Sequence, residues 1–168
     1  MKHATDNPTA NSQQPTADIP MTIPPSGRIL SLDWGASRIG VAISDETQLL
    51  ASPLAVLPRR AGKRLPLGAF LTIVETEHPV GLVVGLPLGD IYSDESPSLQ
   101  GAREMGELFA TKSGLPIAWV DESFSTSEAL ERLTTQGIAP RSRRESVDAL
   151  AAAVVLERWL DARREGRA

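Results

Sequence analysis

Apolar and polar positions fall into blocks along the chain, and each block has its own period. Ile29, Leu30 and Leu32 form a short apolar run that stops at Asp33-Trp34-Gly35. A second β-like run covers residues 39–44, with Gly35-Ala36-Ser37 as the turn between them. Residues 49–57 read as a third strand, and Pro53 places it at a sheet edge. Three strands joined by short turns predict an antiparallel meander. A basic loop at 58–66 precedes a helix over 67–77, and VGLVVGL at 80–86 is a buried-type strand. After a polar loop at 87–96, Ser96-Pro97 supplies an N-cap and a first-turn proline for a helix reaching residue 112 and stopping at Gly114. A fifth strand is expected at 115–120, ending in Asp121-Glu122. Ser125 and Glu128 form a capping box for a helix to residue 135, which Gly137 and Pro140 end, and a last helix runs over 143–163.

The chain therefore reads βββ, α, β, α, β, α, α. Strands joined through helices lie parallel, so the expected fold class is α/β, a mixed five-stranded sheet with helices on both faces. Residues 1–27 are rich in Pro, Thr, Asn, Gln and Ala and hold almost no large apolar residue before Ile19. Such a segment buries too little surface to offset its ordering entropy, so it is expected to be a disordered tail ahead of one domain at 28–168.

Composition narrows the function classes. The chain of 168 residues holds no cysteine, which excludes disulfides and thiolate metal sites and fits a reducing, cytoplasmic setting. No apolar run is long enough to span a bilayer, and the N-terminus lacks the apolar stretch of a signal peptide. A net charge of −4 argues against non-specific binding of duplex DNA by charge alone. It leaves room for an enzyme with a local basic strip around an acidic, metal-holding centre.

Three acidic positions stand out. Asp33 ends the first strand, Asp121-Glu122 end the fifth, and Asp148 lies near the start of the last helix in SVDALAAAVVLERWL. Residues 149–156 are all apolar, so that helix is expected to be buried, and its alanines let its backbone lie close to the sheet. Each acid alone has a structural explanation: Asp33 as a turn former, Glu122 as a surface acid, Asp148 as a first-turn partner of the helix dipole. Together they describe a different object. Carboxylates converging on one sheet edge repel each other unless a cation neutralises them, and an all-oxygen set suits Mg²⁺ or Mn²⁺. The chemistry that follows is two-metal phosphodiester hydrolysis. The histidines, His3 and His78, have no partner suggesting a base, so that role falls to metal-bound water.

SLDWGASRIGVAISD, VVGLPLG, VDESFST and SVDALAAAVVLERWL, in that order, resemble the YqgF (RuvX) family of pre-16S rRNA nucleases, also called Holliday-junction-resolvase-like proteins. The resemblance covers roughly residues 28–160. It implies a ribonuclease H-like fold, a metal-dependent nuclease, and a part in maturing the 5′ end of 16S rRNA within the small ribosomal subunit precursor. By motif, the family's acids fall on Asp33, Glu122 (with Asp121 adjacent) and Asp148. Two departures stand against it: Ser123 replaces a usual arginine, and the loop after VVGLP carries Asp90, Asp94 and Glu95.

On this reading Arg38 neutralises the scissile phosphate, with a surface ion pair as the alternative. Arg141, Arg143 and Arg144, which lead into Asp148, are candidates to track a nucleic-acid backbone, as are Arg59, Arg60, Lys63 and Arg64. Trp34 is expected to pack under the sheet edge, with stacking on a base as the alternative. Rival readings are a non-catalytic RNA- or ribosome-binding module, a resolvase of four-way DNA junctions, and the nucleotide-binding fold of actin-like and sugar kinases. The last needs a second lobe that this chain is too short to hold.

Overall fold

The apolar runs assemble into one sheet because each has a face to bury on either side. The strands are β1 (Ile29–Trp34), β2 (Arg38–Ser44), β3 (Ala51–Pro58), β4 (Gly81–Leu86) and β5 (Ile117–Asp121). Their order is β3-β2-β1-β4-β5. The pairs β1/β2 and β2/β3 are antiparallel, and β1/β4 and β4/β5 are parallel, as the meander and the helical crossovers require. The computed structural model describes residues 22–60, 62, 64–87, 96–121 and 143–166, of which 143–146 are described by backbone alone. Helices are α1 (Leu67–Glu77), α2 (Pro97–Ser113) and α3 (Arg143–Arg164). The helix expected at 125–135 lies outside the described residues.

Alternation along the strands sorts the core into two layers. Leu30, Leu32, Ile39, Val41, Leu82 and Val84 meet Phe70 of α1 and Met105 and Phe109 of α2. The Phe70 and Phe109 rings stack with centroids 4.2 Å apart. On the opposite face Ile29 and Val83 meet Val155, Leu156, Trp159 and Leu160 of α3, and Ala42 meets Ala152 and Ala153. Helices therefore cover both faces. Among the described residues, no helix is long and apolar enough to cross a membrane.

Local signals explain most boundaries. Ser96 Oγ accepts from the Leu99 N–H at 3.1 Å, Pro97 takes the first helical position, and Gly114 (φ 72°) closes α2. Pro53 does sit on an edge strand, where the register slips between Val41 and Ala42 and steps from Ala55 to Pro53. Three expectations need correction. Strands β3 and β5 begin at Ala51 and Ile117, each two positions later than the apolar runs suggested. Within residues 22–27, assigned to the tail by composition, Ile23 is buried against α3, and its carbonyl accepts from Arg163 Nη2 at 2.7 Å. Gln48 Nε2 adds bonds to the carbonyls of Pro24 (2.9 Å) and Gly27 (3.0 Å).

The β2–β3 turn is built on Asp45. Its Oδ1 accepts from the N–H groups of Leu49 and Leu50, each at 2.8 Å, and its Oδ2 accepts from the Thr47 hydroxyl and N–H. The Thr47 hydroxyl, followed by the backbone donors, lowers the carboxyl from 3.8 to about 2. The folded value lies below the unfolded one. The turn's contribution to stability is therefore complete above the unfolded value and is lost as pH falls toward about 2. A carboxyl ¹³C titration is expected to place the Asp45 midpoint near 2, and Thr47→Ala should move it up toward 3.8.

Candidate active site

Asp33 is placed by the sheet. It lies directly opposite Gly40 in the β1/β2 ladder. Residues opposite each other in an antiparallel pair project to the same face. That face is the one α3 covers: two residues earlier, Ser31 Oγ donates to the Ala152 carbonyl at 2.6 Å. Asp33 sits near the carboxyl end of β1, on the side where β4 and β5 also end. Ligands of open α/β sheets bind at such strand ends.

Asp148 reaches the same place through a close backbone contact. A methyl on Gly40 would overlap the Asp148 carbonyl and press on the Ala149 nitrogen. The missing side chain lets α3 rest its backbone on β2. Buried Ala149, Ala152 and Ala153 keep the approach close further along. Gly40 thus touches both acids, Asp33 across the ladder and Asp148 above it. Asp148 is the sixth residue of α3, beyond the first turn where it was expected. The helix dipole acts within that turn, so it does not account for the carboxylate.

Asp148 has a specific partner instead. Arg38 Nε donates to Asp148 Oδ2 at 2.7 Å, between side chains 33% and 25% exposed. Both alternatives raised for Arg38 bear on this residue, and the structure shows the ion pair. A pair this open to water contributes at most about 1 kcal/mol.

The β1–β2 turn between Asp33 and Arg38 is clamped by Arg59. Its Nε donates to the Gly35 carbonyl (3.1 Å), its Nη2 to the Ala36 carbonyl (2.5 Å), and its backbone N–H to the Ser37 carbonyl (2.8 Å). Its guanidinium lies 3.9 Å from the Trp34 ring centroid. Trp34 also packs against α2, where Gly101 leaves room for its ring. Arg59 was grouped with residues that track a nucleic-acid backbone; here it holds a turn. Sequence reading missed both Gly40 and this clamp. A glycine inside the strand RIGVAIS is the signal that marks close backbone approach.

Several expected residues cannot be placed. Glu122, Ser123, Arg141 and most of the acidic loop 89–96 lie outside the described residues, and for Arg143 and Arg144 only the helical backbone is described. Asp121 pairs in register with Leu86, which packs against α2, so it sits on the face opposite Asp33. Among the described residues no group of three acidic or histidine side chains could hold a metal ion. Two of the three expected acids, Asp33 and Asp148, share the α3 face.

The sequence profile of the RuvX family, described as Holliday junction resolvase, matches residues 27–162. A protein of Anaeromyxobacter sp. (strain Fw109-5) with the provisional name pre-16S rRNA nuclease is 42% identical over 137 residues, covering 81% of this chain and 98% of its own. One of Roseiflexus sp. (strain RS-1) with the same provisional name is 38% identical, covering 82% and 96%. Among solved structures, T. thermophilus RuvC in complex with a Holliday junction substrate is similar in fold at a TM-score of 0.56 and 16% identity, over 84% of this chain and 97% of that one. The yeast mitochondrial Holliday junction resolvase gives 0.52 at 12% identity, over 87% and 84%. The mixed sheet of this chain is thus a ribonuclease H-like fold of the RuvC kind.

The Gly40 contact makes a direct prediction. Gly40→Ala should destabilise the protein by about 1–3 kcal/mol in urea unfolding, because backbone has to move. Gly68→Ala, on α1 with open space around it, should lie within about 1 kcal/mol of the unsubstituted protein or above it.

Proposed function

The chain belongs to the RuvX family, and on that premise we propose that it is a divalent-cation-dependent endonuclease that processes the 5′ end of pre-16S rRNA in the cytoplasm. Its substrate would be the rRNA within the small-subunit precursor, and residues 28–168 would form the nuclease domain. The observation that supports the reading is that Asp33, opposite Gly40 in the ladder, and Asp148, whose backbone carbonyl rests on Gly40, lie on one face at the end of the sheet where β1, β4 and β5 stop. The names of the relatives add the activity class and the rRNA substrate.

The donors described fit a hard cation. Asp33 and Asp148 offer only carboxylate oxygens on one face, and Asp148 already attracts a positive group, Arg38. Asp33, Glu122 and Asp148 would hold Mg²⁺ or Mn²⁺, which would activate water and stabilise the leaving oxygen. The chain's own residues do the rest. Gly40 lets the backbones carrying Asp33 and Asp148 approach, and Arg59 holds the turn between Asp33 and Arg38. Arg38 would neutralise the scissile phosphate, and Arg141, Arg143 and Arg144 would track the backbone on either side.

The family's printed description favours a second reading, cleavage of four-way DNA junctions by the same carboxylates. One assay separates the two. Purified protein is incubated with a single-stranded RNA spanning a 16S precursor 5′ junction, or with a four-way DNA junction, plus Mg²⁺ or Mn²⁺. Cation-dependent cleavage of the RNA is expected, with Asp33→Asn and Asp148→Asn each slower by ~10²-fold or more. Cleavage of the junction alone would move the function to the second reading. Cleavage that survives both substitutions would sink the carboxylate mechanism.

A further inference from the structure

The Arg38–Asp148 pair joins two side chains that the nuclease reading assigns to different partners. Building on that reading, we propose that Arg38 and a divalent cation are alternative partners of Asp148, so that the guanidinium becomes available to nucleic-acid phosphate only when a cation replaces it on the carboxylate.

The geometry supports an exchange of side chains over fixed backbone. The Arg38 backbone is held on both sides. It is in register with Pro58 in the β2/β3 ladder, and its carbonyl accepts from Gly35 N–H at 2.9 Å. The Asp148 backbone is held by its seat on Gly40. Between these two anchors runs the 2.7 Å Nε–Oδ2 bond of a long, flexible side chain that is one-third exposed. A pair of that exposure holds its members together by a factor of no more than about five. A divalent ion carries twice the charge of a guanidinium, and Asp33 lies on the same face. The neighbouring guanidinium does not compete for Asp148, since Arg59 is bound to the carbonyls of Gly35 and Ala36 and stacked on Trp34.

The consequence is a coupling between cation and phosphate. Arg38 bound to Asp148 weakens both ligands' access, and its release favours both. By reciprocity each then tightens the other. Without Arg38 only the direct attraction between cation and phosphate couples the two.

The test follows the Arg38 Nε–H resonance in ¹H–¹⁵N spectra of the full chain during titration with Mg²⁺ alone. The resonance is expected to start at a hydrogen-bonded position and move to the position found in Asp148→Asn without metal. Its midpoint should match the Mg²⁺ affinity measured by calorimetry. Arg38→Gln should bind Mg²⁺ roughly two- to fivefold more tightly than the unsubstituted protein. An Arg38 resonance unmoved at saturating Mg²⁺ would overturn the exchange while leaving the nuclease reading intact. Absence of Mg²⁺ binding by unsubstituted protein and Arg38→Gln alike would overturn both.

Discussion

The site depends on one steric fact: nothing stands between β2 and α3 at Gly40. The Asp148 carbonyl occupies the space a side chain would fill. Interiors pack at crystal-like density, so one methyl cannot be absorbed where backbone meets backbone. The contact ties the helix to the sheet at the point where Asp33 is Gly40's neighbour across the ladder. Ala42, Ala152 and Ala153 extend it, and Ser31 stitches it with a bond to the Ala152 carbonyl. Small residues at one interface thereby set how closely the backbones that carry Asp33 and Asp148 approach, though they come from distant parts of the chain.

Stability alone gives a poor account of the polar groups at this edge. The Arg38–Asp148 pair is too exposed to contribute much, and Arg59 spends its donors on a surface turn. What both do is restrict conformation. Arg59 fixes the turn that follows Asp33, and Trp34 anchors that turn to α2. The layer of α1 and α2 on the far face, with its stacked Phe70 and Phe109, provides the rigid support behind it. Sites built on strands and helices hold their geometry more tightly than sites built on loops.

Local patterns made much of this readable beforehand. Helix α1 was legible to the residue, because its apolar period is bounded by Pro66 and His78. The caps of α2 were legible because Ser96-Pro97 and Gly114 each satisfy helix-end groups by local chemistry. What stayed hidden depends on partners far along the chain. Arg38 and Asp148 are 110 positions apart, and neither's neighbours announce the other. Ile23 looked like part of a polar tail because its burial comes from α3. Arg59 looked like one more charge in a basic loop, since its acceptors are carbonyls, which every residue carries. Asp33 and Asp148 were singled out from strand and helix ends, whereas Gly40, against which both lie, was not.

Charge at the site bears on how an acidic protein approaches an acidic polymer. The chain carries a net charge of −4, so long-range attraction to RNA or DNA is not available from the whole molecule. Locally, the carboxylates of Asp33 and Asp148 are matched by the guanidiniums of Arg38 and Arg59, so the described edge has no formal excess of positive charge to draw in a phosphate. On the proposed reading a single divalent cation would make that edge formally positive, and within a Debye length of about 8 Å the added charge would be felt by the incoming backbone. The local field would then favour nucleic acid only when the cation is present. On that reading an acidic overall composition would be an asset, because it would suppress binding at every place except the one where the cation and Arg38 would act together.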